Sequence, residues 1–200
     1  MKDIFIKIWE LALPYQDKRE DAGHAETSLN YAQKLVVLEN GTEDVVIPAI
    51  ILHDVGWSRL PTERRMTIFD RDASAEDRRA VQYEHQIEGV KLALKILRQV
   101  DYPPDLIVEI LEIISGHDTR KGFISKNEGI VRDADKLWRT SNKGFTVSEE
   151  RAKKQEAQRF VRLEKGLNKE DYFYSETARN MALADLKDWE KQTSPEAKPE

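Results

Sequence analysis

The 200-residue chain contains no cysteine, which excludes disulfides, thiolate metal sites and a cysteine nucleophile. Any metal it holds must be bound through nitrogen and oxygen. It has no glycine-rich phosphate loop, no internal repeat and no convincing strand pattern. No run approaches the roughly 20 apolar residues needed to cross a bilayer. Near the start, Ile4, Ile6, Ile8 and Leu11 are interrupted by Lys2, Asp3, Lys7 and Glu10, so the unbroken apolar core of a signal peptide is missing. A cytoplasmic protein is the resulting expectation. The net charge of -5 offers no attraction to a nucleic-acid backbone or an anionic membrane, so neither is expected as a partner.

With 40% hydrophobic residues the chain has enough apolar side chains for one core. Their spacing is helical. Ile4, Ile8 and Leu11, flanked by Phe5 and Leu13, predict a helix over 3–13 stopped by Pro14. Ala25, Leu29, Ala32 and Val36, with Ser28 and Leu35 beside them, predict a helix over 24–39 that Asn40-Gly41 ends. A third begins near Asp44, read as its cap, and runs through Ile47, Ile50 and Ile51 to His53-Asp54, with Pro48 placed near its first turn. Residues 57–79 show little periodicity and read as a long loop. The period returns over 81–100 with His85, Gly89, Leu92 and Ile96, and again over 105–118, where Ile110, Ile113 and Ile114 lead to His117-Asp118. Residues 119–126 read as a basic loop, and further helices are predicted over 128–140, 148–163 and 172–189. Phe160, Val161 and Leu163 mark the narrow apolar face of the second of these. The fold class is therefore all-α, a single helical domain over 1–190 with the motif core at 23–140, C-terminal helices at 146–190 and a flexible tail at 191–200.

The stretch Ile50-Ile51-Leu52-His53-Asp54-Val55-Gly56-Trp57 organises the rest. An apolar run ending in His-Asp places an imidazole and a carboxylate side by side at the end of a buried element, where an uncompensated charge is costly. A divalent metal is the usual compensation, and nitrogen with carboxylate oxygen suits Zn, Mn, Fe or Ni. The remaining histidines, His24, His85 and His117, each read as lying at one end of a helical segment, and an aspartate follows in Val131-Arg132-Asp133-Ala134-Asp135-Lys136-Leu137.

These residues, over roughly 23–140, resemble the HD-domain metal-dependent phosphohydrolase superfamily, whose pattern is a His, a His-Asp pair and a distant Asp. The resemblance implies an all-helical bundle. The extra His85 and His117 match the two-metal members, such as the diadenosine tetraphosphate hydrolases and the cyclic-di-nucleotide phosphodiesterases. It implies that Asp54 bridges two metals, that His24, His53 and Asp135 hold one, and that His85 and His117 hold the other. Asp135 fits the family's Ala-Asp-Arg/Lys-Leu pattern, with Asp133 as the alternative. Two divalent ions per chain are expected, Fe or Mn first, with Ni, Co or Zn as alternatives. Trp57 stands where many two-metal members carry a Lys, which sets the chain apart from the cyclic-di-nucleotide enzymes and leaves the general acid unassigned.

The chemistry implied is hydrolysis of a phosphate ester or anhydride of a nucleotide or related small metabolite. Asp54 is expected to be catalytic as well as a ligand, and Asp118 to orient His117 or hold a water. Arg64, Arg65, Arg120, Lys121, Lys136 and Arg139 are the candidate phosphate cations. Trp57, Trp138 and Trp189 read most simply as packing residues, and Tyr31 as core. Two other readings remain: a mixed-valence di-iron oxygenase of the same fold, and a non-catalytic regulatory module. Oligomeric state has no signature in the sequence.

Overall fold

The computed structural model of the chain describes residues 1–70, 72–152, 166–167, 169 and 171–193. Among these, all regular structure is helical and no strand occurs. The elements are α1 (Asp3–Ala12), α2 (His24–Leu38), α3 (Glu43–Leu52), α4 (Thr62–Met66), α5 (Ala75–Gln99), α6 (Pro104–Gly116), α7 (Lys126–Leu137), α8 (Asn142–Ala152) and α9 (Glu176–Thr193), with 3-10 turns after α1, α3, α4 and α7. No helix among the described residues is long and apolar enough to cross a membrane.

α3 lies at the centre. Residues 45–52 are all buried, so this helix has no polar face and is wrapped on every side. Glu43 begins it and Thr42 takes the cap position, while Asp44 sits inside the first turn and receives Lys2. Pro48 falls one turn deeper than the sequence suggested. It has no N–H for the Asp44 carbonyl, and that orphaned acceptor instead takes the hydroxyl of Tyr102 at 2.7 Å. The proline thus costs less than in an isolated helix, because the turn before α6 supplies the missing donor.

α1 buries Phe5, Ile8 and Ala12 against α3, a face rotated from the expected Ile4, Ile8 and Leu11. α2 buries the predicted stripe and stops where Asn40 adopts φ 51, with the Gly41 N–H returning to the Val36 carbonyl at 2.8 Å.

Residues 57–79 are not a loop. They contain the end of the turn Val55–Arg59, α4, a further turn and the start of α5, which begins at Ala75 with Ser74 as its cap. The first turns of α5 carry Glu76, Asp77, Arg78 and Arg79, whose side chains meet solvent or polar neighbours such as Ser74, the Asp70 carbonyl and the Tyr83 hydroxyl. No apolar stripe exists there to reveal the helix. The stripe starts at Val81, the first buried residue of α5. His85 consequently sits within α5 and not at its end.

α5 crosses the 55–59 turn at backbone contact. A Cβ on Gly56 would lie 1.9 Å from the His85 carbonyl oxygen, and one on Gly89 would lie 3.6 Å from the His53 carbonyl oxygen. Glycine is required at 56 for this approach, which sets His85 and His53 on facing backbones.

α7 starts at Lys126 with Ser125 capping and ends at Leu137. α8 starts earlier than expected, at Asn142, and its Phe145 stacks on Trp189 of α9 with centroids 4.4 Å apart. Tyr31 donates to Asp185 at 2.6 Å and so joins α2 to α9. The expected face at Phe160, Val161 and Leu163 lies outside the described residues, as does the tail from 194; residues 191–193 belong to α9.

Candidate metal centre

Five helices deliver the site. His24 is the first residue of α2, following Gly23 at φ 86. Asp17 secures that helix start from outside, its carboxylate accepting the N–H of Gly23 at 2.7 Å and of Ala25 at 3.0 Å. His53 and His117 each follow the last residue of their helices, α3 and α6, and each is succeeded by an aspartate. His85 comes from α5 and Asp135 from near the end of α7. All four imidazoles are buried, none more than 5% exposed.

Their Nε2 atoms converge on Asp54. Its Oδ2 lies 3.4 Å from His24 and 3.5 Å from His53, while its Oδ1 lies 3.6 Å from His85 and 3.4 Å from His117. Asp135 Oδ1 faces the first pair at 3.2 and 3.5 Å. Donor atoms of His24, His53, Asp54 and Asp135 all lie within 4.8 Å of one another, as do those of Asp54, His85 and His117. Two ligands roughly 2.1 Å from a common ion stand about 3.0–3.4 Å apart, so these separations suit divalent cations. The ring orientation suits them as well: Nδ1 of His53 bonds the Ile50 carbonyl at 2.7 Å and Nδ1 of His117 the Ile114 carbonyl at 2.9 Å, which leaves Nε2 free to ligate.

The sequence profile of the HD domain family matches residues 22–140, a span that holds every one of these donors. The chain belongs to the HD domain family. No curated protein matches it in sequence. The crystal structure of a predicted HD superfamily hydrolase from an uncultured Thermotogales bacterium superposes with a TM-score of 0.56 at 19% identity, covering 94% of this chain and 85% of that one. That likeness shows a shared HD fold.

Within the HD site, charge is strongly organised. Burial opposes the charge on Asp54, but Arg19 and then His53 outweigh it and hold the carboxylate well below its usual range. Asp135 is lowered likewise, burial being overcome by hydrogen bonds from His24 and His53. Burial pushes His53 down, yet Asp54 and Asp135 carry it up to about 9. His85 shows the reverse, lowered to about 4 by burial and by His117 beside it. Burial also opposes the charge on His117, which Asp118 and Asp54 nevertheless raise.

Asp133 stands apart from this cluster. Its carboxylate accepts the N–H of Tyr174 at 2.7 Å and of Ser175 at 2.9 Å, together with the Ser175 hydroxyl at 2.8 Å, and so ties α7 to the start of α9. Asp118 does not orient His117, because His117 Nδ1 is already engaged by Ile114. Instead its Oδ2 faces the ligating side of both rings, 3.6 Å from His85 Nε2 and 3.9 Å from His117 Nε2.

The six candidate cations divide. Arg64 forks onto Glu84 at 2.9 and 2.5 Å, Arg65 meets Thr62 at 2.8 Å, and Arg120 pairs with buried Glu128. Lys121 is exposed. Lys136 donates to the Tyr172 carbonyl, lies 5.4 Å from the Phe123 ring centroid and is lowered to about 8, mainly by burial. Burial opposes the charge on Arg139, which Tyr172, Asp135 and Asp118 nevertheless raise.

Two residues at the centre were not singled out as site residues from sequence. Arg19 donates to Asp54 Oδ2 and to Asp21 at 3.1 Å, and its guanidinium lies 4.8 Å from the Trp57 ring centroid. Trp57, read as a packing residue, donates its indole N–H to Asp54 Oδ1 at 3.0 Å. Arg19 lies in a polar stretch without periodicity, and nothing in the residue types there marks it.

Proposed function

We propose that this HD protein is a metal-dependent hydrolase acting on a phosphate ester or anhydride of a nucleotide or related small metabolite. The observation that carries the reading is the division of Asp54: one oxygen faces His24 and His53, the other His85 and His117. A bridging carboxylate between two nitrogen pairs suits two divalent ions, Fe or Mn first. Such a pair supplies an activated water and a clamp for phosphoryl oxygens.

The chain's own groups supply the rest. Arg19, beside Asp54, and Lys136 and Arg139, beside Asp135, are the cations best placed to receive phosphate oxygens. Asp118 Oδ2 stands near His85 and His117, where it is placed to take the proton of an attacking water. The net charge of -5 supports a free small substrate over a nucleic acid or a membrane surface.

Metal content per chain and turnover of a panel of phosphomonoesters, diesters and dinucleoside polyphosphates test the reading. Wild type should bind two ions and turn over at least one class, and Asp54→Ala should lose both properties. Retention of either by Asp54→Ala counts against it. Trp57 offers no acid for the leaving group, which favours a second reading, a mixed-valence di-iron oxygenase. Oxygen consumption by iron-loaded protein would support that reading, and phosphoester turnover with Mn under anaerobic conditions excludes it.

A further inference from the structure

Asp54 is engaged differently on its two sides. Its Oδ2 accepts from the charged Arg19, whereas its Oδ1, the oxygen facing His85 and His117, accepts a neutral N–H from Trp57 at 3.0 Å. The same indole lies flat on His85, with centroids 3.9 Å apart and planes 10° from parallel. Trp57 is 1% exposed and His85 0%, so neither ring has solvent to move into. The stack follows from Gly56, whose missing Cβ lets α5 press its His85 backbone against the 55–59 turn. Among the described residues His85 lacks the carbonyl partner that fixes His53 and His117, and its buried Nδ1 has no hydrogen bond. The indole face is therefore what holds its ring.

We propose that Trp57 is a positioning residue for the second metal site, fixing His85 by stacking and Asp54 Oδ1 by hydrogen bonding. The proposal rests on the two-metal reading above. The indole N–H orients the carboxylate as a neutral donor. Trp138 meets His24 of the first site only edge-on, with centroids 5.3 Å apart.

Calorimetric titration of the full chain with Mn²⁺ tests this without any turnover measurement. Trp57→Phe keeps an aromatic face but removes the N–H, and Trp57→Leu removes both. Binding of the second Mn²⁺ should weaken by about 10–100-fold in Trp57→Phe and further in Trp57→Leu, with the first ion affected less than about threefold. Unchanged binding, or equal weakening of both ions, overturns the assignment. If neither variant folds, the triple variant Trp9→Phe, Trp138→Phe, Trp189→Phe, in which Trp57 is the sole tryptophan, provides the reading: its emission should fall mainly with the second equivalent of Mn²⁺. Emission that does not respond to that equivalent overturns the proposal. Wild type that binds no Mn²⁺ sinks the phosphohydrolase reading as well, whereas two ions bound with Trp57→Phe unaffected sinks this inference alone.

Discussion

His53 and His117 are held in the same way, each ring anchored through Nδ1 to the carbonyl three residues earlier, Ile50 at 2.7 Å and Ile114 at 2.9 Å. Both rings follow the last residue of a helix, wholly buried over 45–52 in α3 and buried along one face in α6, and both precede an aspartate that turns toward the centre. The two helix ends, from α3 and α6, therefore present equivalent nitrogen donors to the two sides of Asp54.

That equivalence predicts separable losses. His117→Ala should reduce the metal content from two ions to one per chain, because His24, His53, Asp54 and Asp135 remain together. Mass-spectrometric metal analysis checks it. Hydrolysis should fall by at least about 100-fold, since a single ion cannot clamp both attacking and leaving oxygens. A variant that keeps two ions would show that His117 is not a ligand.

Asp133 and Asp135 should respond oppositely. Asp133→Ala leaves the Tyr174 and Ser175 N–H groups without their acceptor, which costs about 2 kcal/mol of stability while metal content is retained. Asp135→Ala should remove the ion held with His24 and His53. Thermal unfolding and metal analysis on the same two proteins separate the roles.

Gly56→Ala should be far more damaging than Gly122→Ala. At 56 the new Cβ would meet backbone, 1.9 Å from the His85 oxygen and 2.4 Å from the Gly89 nitrogen, so α5 must move. Overpacking against backbone costs about 3 kcal/mol or more, a fall in Tm of roughly 6–12 °C for a chain of this size. Gly122 has φ +68, and no atom of the described residues lies within 4 Å of a Cβ there, so alanine carries only the left-handed penalty, about 1 kcal/mol. Equal Tm values for the two variants would contradict the close approach of α5.

The metal-free protein should lose stability as pH rises from about 6.5 to about 9. His53 titrates near 9 when folded, above the 6.5 of an unconstrained histidine, so its ion pairs with Asp54 and Asp135 contribute fully below 6.5 and vanish as the pH passes 9. His85, lowered to about 4, is neutral in the folded state across that window, and its unfolded counterpart is neutral once the pH is well above 6.5, so it does not mask the loss at the upper end. A metal must displace the His53 proton, so Mn²⁺ binding at pH 7 should release close to one proton from this residue. Calorimetry in two buffers of different ionisation enthalpy measures the release, and His53→Gln should flatten the pH dependence of the metal-free Tm.

Much of the helix pattern was legible because apolar residues recur where helices touch the core. The signal failed where that coupling was absent. The first turns of α5, with Glu76 to Arg79 facing water, looked like loop. Pro48 was placed near a helix start because its missing N–H is cheapest there; Tyr102, 54 positions later, makes the deeper position tolerable.

The sequence by itself determined the donor set available to the site and the helices that carry it. With no cysteine and four histidines, residue type alone limits the chemistry, and helical spacing is a local property of the chain. Only the tertiary structure decided which Asp54 oxygen faces which pair, that Asp133 serves α9, that Arg19 reaches the centre and that Trp57 lies on His85. Those outcomes depend on distances between separate helices, set by how closely backbones such as those at Gly56 and His85 can approach, and no periodicity along one helix encodes them.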